Sequence, residues 1–314
     1  MRVAVVGAGA IGGFLAAALA KAGVAVAAVA RGEHLRAIRR HGIRVESDLG
    51  SFTTPIEAGD DLRQLGEFDL LLLTFKAHQW PAFLAQLEPY AGHATVVTMQ
   101  NGLPFWYVRN PPLRSVDPLG SIGRLFPDET VIGSVVHVSG EVVQPGVIRQ
   151  SGGLRYVFGV PNGAGSRVDD LVTLFRRAGL AAERDDAIRA TLWLKLVNNA
   201  GLNPVSVLAR KTIKTMLEDP QSRARVHQMM SEAIRVGQVM GVVADVSVDQ
   251  RIAYAARLSD VKTSMLQDYE RGRPLELDPI LGAVVELAER HRVDVPNLRG
   301  AYERLREGNG RREA

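Results

Sequence analysis

The segment Gly7-Ala8-Gly9-Ala10-Ile11-Gly12 carries glycine at the spacing that lets a backbone close around a phosphate. It follows a β-branched run at 3–6 and opens the Ala/Leu-rich stretch 14–22. In that setting Gly7 permits a tight turn, Gly9 lets the backbone approach a pyrophosphate, and Gly12 lets helix and strand pack closely. The helix N-terminus adds free N–H groups and the positive end of its dipole. Glycine is common, so the plain alternative is a structural turn. The next strand-like run, 24–30, ends in Arg31. An Asp or Glu usually stands at this point when an unphosphorylated ribose is to be bound. Here a cation replaces it, and a cation can pair with the 2′-phosphate that a carboxylate would repel. Gly7, Ala8, Gly9, Ala10, Ile11 and Gly12, together with Arg31, therefore predict NADP (NADPH) as cofactor. A surface arginine is the plain alternative at 31. Glu33, two residues further on, is expected to face away.

Three later segments hold polar residues in apolar settings. Thr74-Phe75-Lys76-Ala77 and Gln100-Asn101-Gly102 each close an apolar strand-like run. The carboxyl ends of such strands line the crevice where ligands bind, so Lys76 and Asn101 are expected to face it. The third segment runs from Trp193 to Pro204. At about 100° per residue, Lys195 and Asn199 lie roughly 40° apart on a helix, and Asn203 roughly 80° from Lys195. Such a polar stripe among Leu, Val and Trp should be buried or line a cavity, because unpaired amides in a core are costly. The alternative is a solvated face with a snorkelling lysine, for which asparagine is a poor choice. Ser264-Met265-Leu266-Gln267-Asp268 and Arg273-Pro274-Leu275-Glu276-Leu277-Asp278 read, on their own, as an ordinary helix and loop with surface charges.

The elements needed to position these residues are legible in outline. Strands at 3–6, 24–30, 70–74 and 95–99 alternate with helices at 14–22, 33–40 and 79–87, which implies a parallel sheet with right-handed crossovers. Short β-rich pieces at 131–139, 142–143, 147–149 and 155–160 predict an antiparallel extension of that sheet. A helix at 166–178 and a strand at 181–184 follow. Beyond Asp185 the pattern is helical, at 188–199, 221–240, 248–256, 279–290 and 296–306, and Pro204 favours a break after the first. The expectation is an α/β protein: a Rossmann-type dinucleotide-binding domain with an antiparallel sheet extension at 1–185, and an all-α domain at 186–314.

The 314 residues suit two domains. No cysteine is present, which excludes disulfides, thiol catalysis and thiolate metal sites and fits a reducing cytoplasm. Net charge is only +4 and the arginines are dispersed, so no nucleic-acid partner is expected. Arg304, Arg306, Arg311 and Arg312 read as a solvated tail. Glycines and Lys21 interrupt the apolar run 11–30, and no secretory pattern opens the chain, so neither a membrane span nor a leader is expected. His78 and His137 suggest no metal site.

Taken together these motifs resemble the ketopantoate reductase family. The resemblance rests on Gly7/Gly9/Gly12, Lys76, Asn101-Gly102, Trp193 to Pro204, Ser264 to Asp268 and Arg273 to Asp278, in the family's order over nearly the whole chain. It implies NADPH-dependent reduction of 2-dehydropantoate to (R)-pantoate, a cytoplasmic step of pantothenate synthesis. It implies Lys195 as general acid and Glu276 as its partner or a holder of a substrate hydroxyl. Asn199, Asn203 and Ser264 would bind the hydroxyl and carboxylate of a small 2-keto acid. Lys76 and Asn101 would serve both cofactor and substrate. A homodimer is an assembly open to such a chain. Two departures stand out: Leu275 replaces the family's threonine, and Leu103-Pro104-Phe105-Trp106-Tyr107 opens an unusual stretch to about Thr130. These aromatics either cover the substrate's far end or form a subunit contact or small core. The first option raises a related reductase of a branched or aromatic 2-keto acid; a non-catalytic NADPH sensor is the alternative of another class.

Overall fold

The computed structural model describes residues 1–161, 167–257 and 260–313, the last five of these by backbone only. The chain forms two compact units: 1–100 with 120–188, and 101–119 with 189–314. Ser166 and the side chains of Arg311 and Arg312 lie outside the described residues.

The first unit is built on one sheet, ten-stranded among the described residues. Its strands are β1 (Arg2–Val6), β2 (Ala25–Val29), β3 (Ile43–Ser47), β4 (Gly50–Thr54), β5 (Glu57–Gly59), β6 (Leu70–Leu73), β7 (Thr95–Thr98), β8 (Val131–Gln144), β9 (Val147–Gly159) and β10 (Ala181–Arg184). The order is β4-β3-β9-β8-β7-β6-β1-β2-β5, with β10 beside β9. From β8 through β5 every pairing is parallel. β8 and β9 pair antiparallel, so the expected extension is present, as one long bulged hairpin rather than four short pieces. Helices α1 (Ala10–Lys21), α2 (Gly32–His41), α3 (Trp80–Leu87), α4 (Ser121–Leu125) and α5 (Arg167–Arg177) complete the unit. Phe14, Leu15 and Leu19 of α1 share one core with Val3, Val5, Leu72, Tyr156 and Phe175. β3 to β5 were not foreseen. They are short and partly exposed, and β3 depends on a distant partner, Val45 standing opposite Ile148.

The second unit is helical: α6 (Ile188–Ala209), α7 (Ile213–Glu218), α8 (Pro220–Val239), α9 (Val248–Ala256), α10 (Ser264–Glu270), a π-helical turn at Asp278–Gly282, α11 (Ala283–His291) and α12 (Pro296–Glu313). The expected break at Pro204 is absent, for α6 runs on to Ala209. Proline removes one helical N–H, but residues 200–207 are all buried, and that packing outweighs a single missing bond. Trp193 is fully buried and donates from Nε1 to the Ala233 carbonyl, 3.1 Å away. Gly237 on α8 makes room for the indole, since a Cβ there would overlap it.

Glu232 on α8 is buried and holds the start of α12. Its carboxylate accepts from Asn297 N (3.0 Å), Asn297 Nδ2 (2.6 Å) and Leu298 N (2.9 Å). The two backbone N–H groups are donors that a helix N-terminus cannot satisfy internally. Replacing Glu232 by Ala orphans them, and we expect a loss of about 1–3 kcal/mol, read as a lower denaturation midpoint by circular dichroism.

Candidate active site

In the first unit the Gly-rich turn is set by steric necessity at two positions. Gly7 has φ +101°, and a Cβ there would stand 2.6 Å from Phe75 N. A Cβ on Gly12 would overlap the Gly7 carbonyl and Thr74 Oγ1. Thr74 Oγ1 in turn donates to the Gly7 carbonyl at 2.8 Å, tying the turn to the end of β6. At Gly9 a Cβ would meet nothing within 4 Å. That glycine faces open space, as a position of close approach to a phosphate must. α1 starts directly after it with no side-chain cap, leaving the helix's first N–H groups to an anion.

Arg31 caps α2 just beyond β2 and is exposed. Its guanidinium lies 4.7 Å from the Phe83 ring centroid, and Phe83 stacks on Phe75 at 4.5 Å. Among the described residues it has no carboxylate partner, because Glu33 pairs instead with Arg36. A planar cation parked on an aromatic shelf with its donors unspent fits a phosphate ligand. Lys76, half-buried, follows β6 and caps a short 3₁₀ turn; its N–H donates to Gln79 Oε1 at 3.1 Å.

In the second unit Lys195 is half-buried on α6 and donates from Nζ to Asn101 Oδ1 at 3.1 Å, across 94 residues of sequence. Burial lowers its pKa from 10.5 to about 8, and the negative charge of Glu276 opposes the shift. Glu276 is half-buried between Leu275 and Leu277, both in the core. Asn101 is held by its neighbours: Leu103 N donates to the Pro279 carbonyl at 2.8 Å, and Gly102, at φ +84°, passes so close to Pro279 that a Cβ would stand 2.5 Å from its carbonyl carbon. Lys195, Asn101 and Glu276 thus converge from three regions of the sequence. Asn199 and Asn203 continue the stripe along α6, the first half-buried and the second buried. Ser264 is exposed at the first turn of α10. Sequence reasoning missed the link beside it: Ser206 Oγ of α6 lies 2.6 Å from Thr263 Oγ1, which caps α10 by accepting from Leu266 N at 3.1 Å. A Thr-Ser pair opening a short helix is the only signal that pointed to it.

The stretch 101–119, placed by sequence in the first domain, packs in the second unit. Phe105, Trp106 and Tyr107 are 2%, 1% and 1% exposed. Arg189 lies 4.4 Å from the Tyr107 ring centroid and donates to the Tyr107 carbonyl at 2.6 Å. Tyr107 OH donates to the Arg189 carbonyl at 3.0 Å, and its ring stacks on Trp193. Further on, Glu286 accepts from Arg114 N, Ser115 N and Ser115 Oγ at 2.9–3.0 Å and pairs with Arg290. Of the alternatives read from the sequence, this burial favours the small core over a cover for the substrate's far end. Among the described residues no group of acidic or imidazole side chains is placed to hold a metal ion, and no helix is long and apolar enough to cross a membrane.

Comparison with known proteins agrees over both units. The model of ketopantoate reductase PanE/ApbA matches residues 3–163, and that of its C-terminal region matches 187–309. The chain belongs to the ketopantoate reductase family. A 2-dehydropantoate 2-reductase of Mesorhizobium japonicum is 42% identical over 91% of each chain. A solved 2-dehydropantoate 2-reductase of Geobacter metallireducens superposes with a TM-score of 0.88 at 27% identity, over 98% of this chain and 100% of that one. D-mandelate dehydrogenase, at 19% identity and a TM-score of 0.87 over the full length of both, shares the fold.

Because Trp106 is almost completely buried and packs on Tyr107, we expect Trp106→Ala to lower stability by about 3–5 kcal/mol. The ranking of 2-keto acids by kcat/KM should stay fixed. Denaturation and a substrate panel on one preparation check both.

Proposed function

We propose that this protein is an NADPH-dependent reductase that converts 2-dehydropantoate to (R)-pantoate, a step of pantothenate synthesis in the cytoplasm. The observation that carries the reading is Lys195: a half-buried lysine with a pKa lowered to about 8, hydrogen-bonded by Asn101 and facing the charge of Glu276. A general acid works best with a pKa near the operating pH. When bound, the nicotinamide supplies the hydride that adds to the 2-keto carbon. Lys195 stabilises the negative charge growing on the keto oxygen and gives that oxygen its proton. Asn101 occupies one of the three ammonium donors and so orients the other two. Glu276 keeps the ammonium charged at neutral pH. Asn199, Asn203 and Ser264 are assigned the hydroxyl and carboxylate of the substrate. Gly7 to Gly12 and Arg31 are assigned the phosphates, and Lys76 and Asn101 the nicotinamide end.

The rival reading, an aromatic 2-keto acid, loses its sequence support once Phe105, Trp106 and Tyr107 are found in a core. A sensor that only binds NADPH has no use for a desolvated lysine, whose burial costs stability. The small-molecule substrate and a homodimer complete the proposal; sedimentation of the purified protein tests the latter. A panel of 2-keto acids followed by NADPH absorbance tests the substrate, and equal or better turnover of other acids would replace 2-dehydropantoate.

Two further outcomes are expected. Lys195→Ala should cut turnover by about 10²-fold or more while cofactor affinity holds. In the wild type, kcat should fall as pH rises through about 8, where Lys195 loses its proton. Glu276→Gln removes the charge that raises this pKa, so the limb should move to lower pH; a limb that stays in place would detach Glu276 from the lysine. For the cofactor, Arg31→Asp should weaken NADPH strongly and narrow the gap to NADH, as a charge-assisted contact gives way to repulsion. Equal wild-type affinities for the two dinucleotides would overturn the assignment to NADP.

A further inference from the structure

His34, on the first turn of α2, is bonded at both ring nitrogens. Gly146, at the turn between β8 and β9, donates its backbone N–H to Nδ1 at 3.0 Å. Nδ1 therefore carries a lone pair. Nε2 lies 2.8 Å from the Ala8 carbonyl oxygen, which can only accept, so Nε2 holds the proton. Only the neutral ring with its proton on Nε2 satisfies both contacts. Burial pushes the ring's pKa below the usual histidine range, against a smaller opposite pull from the Ala8 carbonyl.

The two partners stand 26 and 112 residues away in sequence, and each is itself anchored. Ala8 belongs to the Gly-rich turn, and its N–H donates to the Val29 carbonyl at 2.8 Å. Its carbonyl shares a peptide plane with Gly9 N–H, which donates to the Gly7 carbonyl at 2.7 Å. The residue after Gly9 begins α1. Gly146 has φ +78°; its carbonyl accepts from Arg44 N at 2.9 Å, and a Cβ would press to 3.0 Å on Ala37. His34 thus ties the Gly-rich turn to the helix that Arg31 caps and braces both on a rigid hairpin. Among the described residues no charged side chain is bonded to the ring. On α2, Glu33 and Arg36 pair with each other and Arg31 lies over Phe83. Arg44 pairs with Glu46, and neither 7–13 nor 142–147 contains a titratable residue.

We propose that His34 is a positioning residue for the dinucleotide, setting the Ala8–Gly9 peptide and thereby the N–H groups offered to the pyrophosphate. The proposal rests on the NADPH reading above. Protonation places a second N–H against Gly146 N–H and breaks the bridge, so dinucleotide affinity should decline as pH falls through the ring's pKa.

The experiment uses the full chain and three variants. Gln can place its amide N–H where Nε2–H stands; Asn can replace only the Nδ1 acceptor; Ala replaces neither. We expect His34→Ala and His34→Asn to raise Kd and KM for NADPH by about 2–10-fold, the scale of one lost hydrogen bond, with kcat nearly unchanged. His34→Gln should stay within about twofold of wild type and lack the wild-type decline, which sets in below the usual histidine range. Titration of the ligand's own 2′-phosphate is common to both proteins and cancels in their ratio. NADH shares the pyrophosphate and should weaken by a similar factor, so the wild-type preference between NADPH and NADH tests the cofactor reading separately. Equal behaviour of the Asn and Gln variants, or unchanged Kd in all three with only melting temperature affected, would reduce His34 to a structural contact.

Discussion

An ammonium group half withdrawn from water loses hydration that a surface lysine keeps, and its proton becomes easier to release. That constraint organises the helical unit. Lys195 is desolvated by its burial on α6, on the face it shares with Asn199. It remains largely charged at neutral pH because Glu276 lies near enough to oppose the shift. It points in a defined direction because Asn101 accepts one of its N–H groups. Each support has its own. Asn101 is fixed by the contact of Gly102 and Leu103 with Pro279, on the same segment that carries Glu276. The donor and both of its modulators are thereby held by one small piece of packing.

The stretch after Asn101 shows how an irregular segment is held. Phe105, Trp106 and Tyr107 fill space beside α6, and Arg189 clasps Tyr107 from both backbone and ring. Farther along, Glu286 gathers two backbone N–H groups and a hydroxyl, and Arg290 spans from that carboxylate to the carbonyls of Pro111 and Pro112. Charge-assisted bonds to backbone are strong and directional. They keep an irregular segment, rich in proline and poor in regular structure, from moving the residue at its head. Leu275 is absorbed in the same way, buried next to Glu276 without displacing it.

The sheet unit works by exclusion of bulk. Gly7 and Gly12 allow the turn, α1 and β6 to approach within distances that any side chain would prevent, whereas Gly9 leaves an open face. Sterics of this kind act through atoms that are absent, which is why a glycine pattern in the correct strand-to-helix setting is so informative.

What the sequence determined by itself was local and periodic. The alternation of apolar runs and amphipathic stretches defined the parallel strands, the antiparallel extension and the helical remainder. The glycine spacing in its strand-to-helix setting pointed to a dinucleotide, and the Lys195, Asn199 and Asn203 stripe was legible because a helix repeats every 3.6 residues. Tertiary structure decided the rest. Strand β3 pairs with its neighbour β4 but enters the sheet only through β9, a hundred residues away, and its own residues carry too little apolar pattern to announce it. α6 passes through Pro204 because the surrounding core outweighs one missing bond, a comparison that no local rule contains. The aromatics at 105–107 could have faced a ligand or a core, and only packing partners from α6 settled it. His34 carried no signal at all, since its meaning lies in two backbone groups brought to its two nitrogens by the fold. Short-range order follows from residue type and period; long-range pairing is decided by which surfaces can be buried together.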